Sequence, residues 1–567
     1  MINYKVEIAK ILAHKIETMT YDEILTLVEH PKNTEMGDYA FPCFKLAKTF
    51  KKSPNVIAEG LALEVQNESL FDKVEAIAGF LNFTVNAEHF AQNVIEEVLD
   101  KKEKYGSSDI GKGKKTIIEY SSVNIAKPFH MGHIRSTMIG ESLHRIYKFL
   151  GYDTVAINHL GDYGTQFGKL IVAFKLWGNK DVIEADPIPE LLKIYVQFHQ
   201  AAEENPALED EARNWFTKLE NGDAEAIELW TLFKDMSLKV FNRVYEKLGV
   251  TFDSYAGESF YSDKMPEIVQ LLREKKIVQK SEGAEIVDLE PYGLTPALIT
   301  KKDGSSLYLT RDLAAAKYRK DTYNFDKNIY VVGSAQKLHF QQWIKIVELM
   351  GFEWYKDCIH VEFGMVSLEE GALSTRKGNV VFLEDVLDKA VEQTLEIINE
   401  KNPNLPDKAR VAKQIGIGAV VFQELYTSRT KDYAFSLDKT LSFEGETGPY
   451  VQYTHARACS VLKKVEASEA KTQPVYAVLT DEASKDVIRT LSKFNEIVTL
   501  AHKNYEPHTV ARFAVELAQG FNRFYHDNAI LVENESIQAA RVSLVKAVKI
   551  VLENALNLVC LEAPEQM

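Results

Sequence analysis

The sequence predicts an α/β protein: an open, doubly wound parallel sheet carrying a helical insertion, with a smaller α/β domain before it and an all-α helical bundle after it. Three observations lead there. The β-branched run Thr116-Ile117-Ile118-Glu119-Tyr120 reads as a buried strand. It feeds, through Ser121 to Ile134, a stretch from Arg135 to Leu150 in which Met138, Ile139, Leu143, Ile146 and Phe149 fall at helical spacing, with Gly151 as the stop. From about residue 384 the apolar pattern is helical to the end, apart from turns at 402–406 and 443–449.

Taken in order, residues 1–105 form the first domain. Ser53-Pro54 opens a helix, Leu81, Phe83 and Val85 alternate with Asn82 and Thr84 as a half-buried strand, and Phe90, Val94, Ile95 and Val98 make a helical stripe. Residues 101–115 hold six lysines, two acids and three glycines and read as a solvated linker; Gly111-x-Gly113 precedes the strand and so is no dinucleotide fingerprint. The sheet domain spans 106–390, with strands at 154–158, 329–333 and 361–367 and a connective, acidic, helical insertion at about 180–300. Asp303-Gly304, between Ala297-Leu-Ile-Thr and Ser306-Leu-Tyr-Leu, is the strongest short hairpin signal. A helical connection, 391–440, leads to the bundle at 441–567.

The bulk numbers narrow the class. The 567 residues are 46% hydrophobic and 26% charged, a composition with ample core and unlike that of a disordered chain. No apolar run reaches the ~18 residues of a membrane span. The start, Met-Ile-Asn-Tyr-Lys-Val-Glu, has no signal-peptide pattern, so a cytoplasmic protein is expected. Cys43, Cys358, Cys459 and Cys560 are too scattered for a disulfide framework or a zinc knuckle, and no metal site is expected. The net charge of −15 speaks against a nucleic-acid partner, yet residues 181–230 alone carry −10, which leaves only −5 on the other 517. A basic surface elsewhere can still bind phosphates, and the acidic stretch reads as a solvated helical face.

The chemistry concentrates at the strand-to-helix junction Asn124-Ile-Ala-Lys127-Pro-Phe-His130-Met-Gly132-His133. At such a switch point an open parallel sheet binds ligands. A helix N-terminus favours phosphate. Two imidazoles can donate to a phosphate as its charge grows, and Gly132 lets a nucleotide approach the backbone. A bare His-x-x-His is often structural, and a zinc reading would want a Glu where Met131 stands.

The longer run Asn124-Ile-Ala-Lys-Pro-Phe-His-Met-Gly-His-Ile-Arg-Ser resembles the "HIGH" signature of class I aminoacyl-tRNA synthetases, in the arginyl form, and the similarity extends over nearly the whole chain. Gly371-Ala-Leu-Ser-Thr-Arg-Lys-Gly378 stands where the family has its "KMSKS" loop, with Ala372 and Thr375 at the two lysine positions and Ser374 agreeing. The resemblance implies a Rossmann-type catalytic domain, an N-terminal domain touching the tRNA elbow and a C-terminal anticodon-binding domain of the DALR type. It implies ATP with Mg2+, L-arginine and tRNA(Arg) as substrates and partners, with no DNA, no tightly bound prosthetic group and a monomeric chain. Carried over residue by residue, it assigns catalysis to His130, His133, Lys127, Arg376 and Lys377, and ATP binding to Lys127, His130, Gly132, His133, Ser374 and Arg376. Glu119, Asn124, Tyr308, Asp312 and Gln336 are assigned to arginine, whose guanidinium fork is best met by carboxylates. Tyr453, Arg457, Asn522 and Arg523 are assigned to tRNA, where interleaved aromatic and basic residues suit unpaired bases.

Two other readings compete. A small HxGH nucleotidylyltransferase shares the first signature but has no use for a large helical C-terminal domain. A non-catalytic, synthetase-like RNA-binding protein has no need of intact His130, Gly132, His133 and Asp312.

Overall fold

The computed structural model describes residues 3–31, 33, 36–65, 70–301, 308–368, 381–466 and 472–567. These form two compact units, one of residues 1–105, 454–494 and 516–554, the other of 106–453, 495–515 and 555–567.

In the first unit a three-stranded antiparallel sheet has Phe80–Val85 at its centre, between Tyr39–Pro42 and Phe71–Ile77. The expected strand is there, but it is central, so Asn82 is buried along with its apolar neighbours. Pro54–Val65 is a helix, with Val56 N donating to Ser53 Oγ at 3.4 Å, and Ala87–Lys101 is the next. Ala87–Lys101 packs on Glu482–Ser492 from the C-terminal part of the chain. The Tyr105 hydroxyl donates to the Leu491 carbonyl at 2.9 Å, and Arg489 Nε meets Asp38 Oδ1 at 2.9 Å. The basic linker is therefore partly packed: its lysines stay outside while Tyr105, Gly106 and Gly111 are buried.

The second unit is built on a four-stranded parallel sheet, ordered Cys358–Phe363, Lys327–Gly333, Lys115–Glu119, Asp153–Ile157. The chain starts in Lys115–Glu119, moves outward to Asp153–Ile157 and returns on the other side at Lys327–Gly333, so the order reverses at the first strand. Helix Met131–Phe149 lies against the sheet and is buried on nearly every side. Its polar residues fasten it: Ser136 Oγ donates to the Val331 carbonyl at 2.7 Å, Ser142 Oγ to the Leu558 carbonyl at 2.6 Å, and Glu141 accepts from the Tyr120 hydroxyl at 2.8 Å.

Four expectations are corrected. Tyr308 and Leu309 are not a hairpin arm but the first turn of helix Tyr308–Tyr323; Asp303 and Gly304 lie outside the described residues. Ala297–Thr300 instead pairs antiparallel with Ala284–Val287, which also pairs with Gln279–Ser281, so the insertion is helical only in its first part. The strand expected at 361–367 breaks at Gly364, where a Cβ would stand 2.5 Å from Asp432 Oδ1. Val366–Leu368 then pairs with Tyr433–Phe435, an extended piece inside the otherwise helical C-terminal part. No acid in 181–230 is buried, in keeping with a solvated face.

Helix Met131–Phe149 passes close to the end of the first strand at Gly140, where a Cβ would fall 2.2 Å from Cβ and Cγ of Tyr120. Gly140→Ala must push the helix off the strand. Overpacking of this kind costs about 1–3 kcal/mol, so urea unfolding should show a lowered midpoint with an unchanged slope.

Candidate active site

The junction between Lys115–Glu119 and Met131–Phe149 is a strained turn. Ser121, Ser122 and Ala126 have φ of 71°, 52° and 57°. Left-handed conformations cost non-glycine residues of order 1–3 kcal/mol each and persist only where the surroundings impose them. The surroundings do so here. Ser121 N donates to Ser136 Oγ at 3.1 Å, Thr137 Oγ1 donates to Ser121 Oγ at 2.8 Å, and the Tyr245 hydroxyl lies 2.8 Å from that same Oγ. Ala126 N donates to Ser237 Oγ at 3.0 Å, while Ile125 N and Gly161 N bond across to the Gly161 and Val123 carbonyls.

The turn delivers His130 and His133 to the helix N-terminus as a capping box made of imidazoles. Gly132 N donates to His130 Nδ1 at 3.0 Å, and His130 N donates to His133 Nδ1 at 3.2 Å. A nitrogen that accepts a backbone N–H carries no proton, so each neutral ring is protonated on Nε2. Burial keeps both rings neutral: it lowers His130, and it pushes His133 down to about 3, helped by His130 and Lys127 nearby. The two rings lie 3.9 Å apart, centroid to centroid. The site thus offers two preset Nε2–H donors at the positive end of a helix, an arrangement suited to a phosphate whose charge grows. Lys127 is exposed beside them.

Around the carboxyl ends of the strands, charged groups pair. Glu119 ends the first strand and meets the fully buried Arg319 at 2.6 Å. Arg319 also lies over the Tyr330 ring, at 5.4 Å, and Burial and the neighbouring Arg319 lower the imidazole of His159. Asp312 Oδ2 is 2.5 Å from His339 Nε2. Glu258 pairs with Arg311 at 3.1 Å, and burial, with Asp312 and Asp162 nearby, still raises its carboxyl to about 7. Arg311 is stacked by Tyr163 and Tyr308, at 5.2 and 5.4 Å. Asn124 bridges to Gly161, and Gln336 stands just before helix Lys337–Leu349. Of the expected arginine contacts, Glu119, Asn124 and Gln336 sit at or just after the ends of the parallel strands, Tyr308 and Asp312 lie in the first turns of helix Tyr308–Tyr323, and Glu119 is already paired with Arg319.

Ser374, Arg376 and Lys377 lie outside the described residues. The chain returns from that stretch against the signature, with Leu383 N donating to the Phe129 carbonyl at 2.9 Å and Phe382 pairing with His130. In the first unit Arg457 is bonded to Asn522 and lies over the Tyr525 ring at 5.5 Å. Arg523 is exposed and 3.5 Å from Asp486. Tyr453, on the helix that carries Arg457, is 40% exposed. Sequence reasoning missed Arg319, Glu258, Arg311, His159 and Tyr525. His159 was within reach, since it directly follows a strand; the others depend on which helices meet.

Three stretches of the chain match known families. Residues 94–437 match "tRNA synthetases class I (R), catalytic domain", residues 451–567 the "DALR anticodon binding domain", and residues 6–85 the "Arginyl tRNA synthetase N terminal domain". The chain is 60% identical over its full length to an arginine–tRNA ligase of Clostridioides difficile and 57% identical to one of Halothermothrix orenii, each covered completely. Its fold matches that of the Thermus thermophilus arginyl-tRNA synthetase with a TM-score of 0.83 at 23% identity, both chains being covered completely.

The imidazole geometry carries a pH prediction. An unfolded histidine takes up a proton near 6.5, whereas the folded His133 resists until about 3. This group therefore removes stability as pH falls from about 6.5 towards 3 and has no such effect above that window. Nitrogen-resolved NMR of the rings should show His130 and His133 as Nε2–H tautomers at neutral pH, with no His133 titration between about pH 5 and 8. A protonated Nδ1, or a midpoint near 6.5 for His133, contradicts the capping geometry.

Proposed function

The chain belongs to the arginyl-tRNA synthetase family, and from that premise we propose how its residues divide the work of joining arginine to tRNA. The enzyme is a class I arginine–tRNA ligase. The carboxylate of L-arginine attacks the α-phosphate of ATP and pyrophosphate leaves. The arginyl group of the adenylate then passes to a hydroxyl of the 3′-terminal adenosine of tRNA(Arg), and AMP departs.

One observation carries the reading: two neutral imidazoles, each with its proton set on Nε2, stand at a helix N-terminus where the parallel sheet reverses its order. Nothing in that arrangement is a nucleophile. It positions a phosphate and stabilises developing charge, which is what adenylation asks of an enzyme. His130 and His133 donate to the α-phosphate, and Gly132 leaves room for the nucleotide. Lys127 supplies a cation for the departing pyrophosphate, aided by Ser374, Arg376 and Lys377. Mg2+ is carried in on the nucleotide phosphates.

Asp312, Tyr308 and Gln336 take the guanidinium of the substrate. Asn124 takes its ammonium group, with Glu119 as pocket wall, its charge shared with Arg319. Such a pocket favours arginine over neutral amino acids, which bring no charged fork of donors to Asp312. Tyr453, Arg457, Asn522 and Arg523 contact tRNA, and the domain touching the tRNA elbow is residues 1–105. No described helix is long and apolar enough to cross a membrane, and the protein works in the cytoplasm as a monomer.

The reading is tested by pyrophosphate exchange and aminoacylation of total tRNA with each amino acid in turn; charging by anything other than arginine overturns it. Asp312→Asn should raise the KM for arginine by the equivalent of about 2 kcal/mol, the lower end for a broken charged pair, because the carboxylate is a third exposed. An unchanged KM removes Asp312 from the pocket. Lys127→Ala should lower kcat by about 10²–10³ with little change in KM, as expected for a group acting on charge that develops in the transition state. Lys377→Ala should cost much less; the reverse ranking moves the cation to the loop.

A further inference from the structure

Arg135 stands five residues beyond His130 in the same helix and has no part in the roles above. Its side chain is fully buried. Nη2 donates to the carbonyls of Ser428, at 3.0 Å, and Arg429, at 3.2 Å, and the guanidinium lies over the Tyr433 ring at 5.1 Å. The Tyr433 hydroxyl in turn donates to the buried Glu424 of helix Lys408–Tyr426. An arginine is costly to bury, and among the described residues this one meets backbone carbonyls and a ring face and no carboxylate within salt-bridge range.

The segment that Arg135 grips is the one that clamps the chain as it leaves the sheet. The Arg429 carbonyl also accepts from Gly364 N at 2.8 Å, Asp432 Oδ1 accepts from Met365 N at 2.6 Å, and Tyr433 N donates to the Met365 carbonyl at 3.2 Å. Tyr433–Phe435 then runs parallel to Val366–Leu368. Arg429 adds a bond from Nη1 to the Glu362 carbonyl. Strand end, break and short strand pair are thus all fixed to residues 428–435, and Arg135 fixes those residues to the helix that carries both histidines.

We propose that Arg135 is a positioning residue that locks residues 428–435, and through them the departure of the chain at Val366–Leu368, in register with His130 and His133. Its kinetic consequence rests on the functional reading above, in which cations beyond Leu368 act on the same phosphates as the histidines. The lock is a matter of shape: Nη2 bonds two successive carbonyls while the flat face of the guanidinium lies on the Tyr433 ring, and a lysine ammonium has no such face.

The test uses the full-length protein and two readouts. Arg135→Met keeps the stem and removes the donors. Backbone amides of Gly364, Met365 and Tyr433 should exchange at least about tenfold faster, as for a locally released clamp. In arginine-dependent pyrophosphate exchange with tRNA present, kcat should fall about 10–100-fold while the KM for arginine stays within about threefold, the pattern of a transition-state effect. Arg135→Lys should move both in the same direction, less far, and carries the test if the methionine variant does not fold. Glu424→Gln removes a buried carboxylate from the same cluster but leaves both carbonyl bonds, so it should lower the melting temperature without either effect. The proposal fails if the Arg135 variants keep amide protection or kcat within about threefold of the unaltered protein. It also fails if Glu424→Gln loses kcat in step with them, which would make the effect one of stability alone. An unaltered protein with no arginine-dependent exchange sinks the functional reading, while amide exchange still reads the clamp.

Discussion

The turn between strand Lys115–Glu119 and helix Met131–Phe149 is the constraint on which the rest depends. Three residues without glycine's freedom sit at positive φ within six positions. That turn is tolerable because Tyr245 and Ser237, from helix Ala224–Leu248, and Ser136 and Thr137, from the helix it feeds, hold its backbone and hydroxyls. Strain at this point brings the backbone N–H groups of the helix end, and two imidazoles bonded to them, to the edge of the sheet. Relaxing the turn to ordinary backbone would carry the histidines away from the strand ends. The insertion helix is therefore more than a connection: its inward hydroxyls are part of what shapes the site.

The electrostatics follow one pattern. Carboxylates at the strand ends are each met by a partner from another element: Glu119 by Arg319, Asp162 by Lys234 at 2.7 Å, Glu258 by Arg311, Asp312 by His339. A buried carboxylate without such a partner would take up a proton, and Glu258, raised to about 7 despite its arginine, lies near that limit. Asp162 is held on both oxygens, Oδ2 by Lys234 and Oδ1 by Ser259 N at 2.8 Å.

The unit that contains residues 1–105 shows how distant parts of a chain make one body. Its antiparallel sheet and helix Ala87–Lys101 pack on Glu482–Ser492, and Asn554 donates to the Lys102 and Tyr105 carbonyls at 2.9 and 3.3 Å. Lysines in residues 101–115 suggested a free tether, yet Tyr105 and Gly106 are interior. Composition reports what a segment exposes on average; single buried residues within it are set by the surface they meet.

Much was legible before any coordinates. Strand and helix periods, the Ser53-Pro54 start, the Gly151 stop and the junction at His130 depend on neighbours a few positions away, so local chemistry determined them. The expected second hairpin arm is absent because Tyr308 and Leu309 open a helix, and Leu309 joins the core that this helix shares with the parallel sheet. The sequence by itself determined the strand at Lys115–Glu119, the helix at Met131–Phe149 and the junction between them where His130 and His133 stand. Only the tertiary structure decided that Glu119 meets Arg319, two hundred positions later, and that Arg135 grips residues 428–435. Those outcomes turn on which faces come together at ångström distances, and contacts between remote residues leave no periodic trace in a single chain.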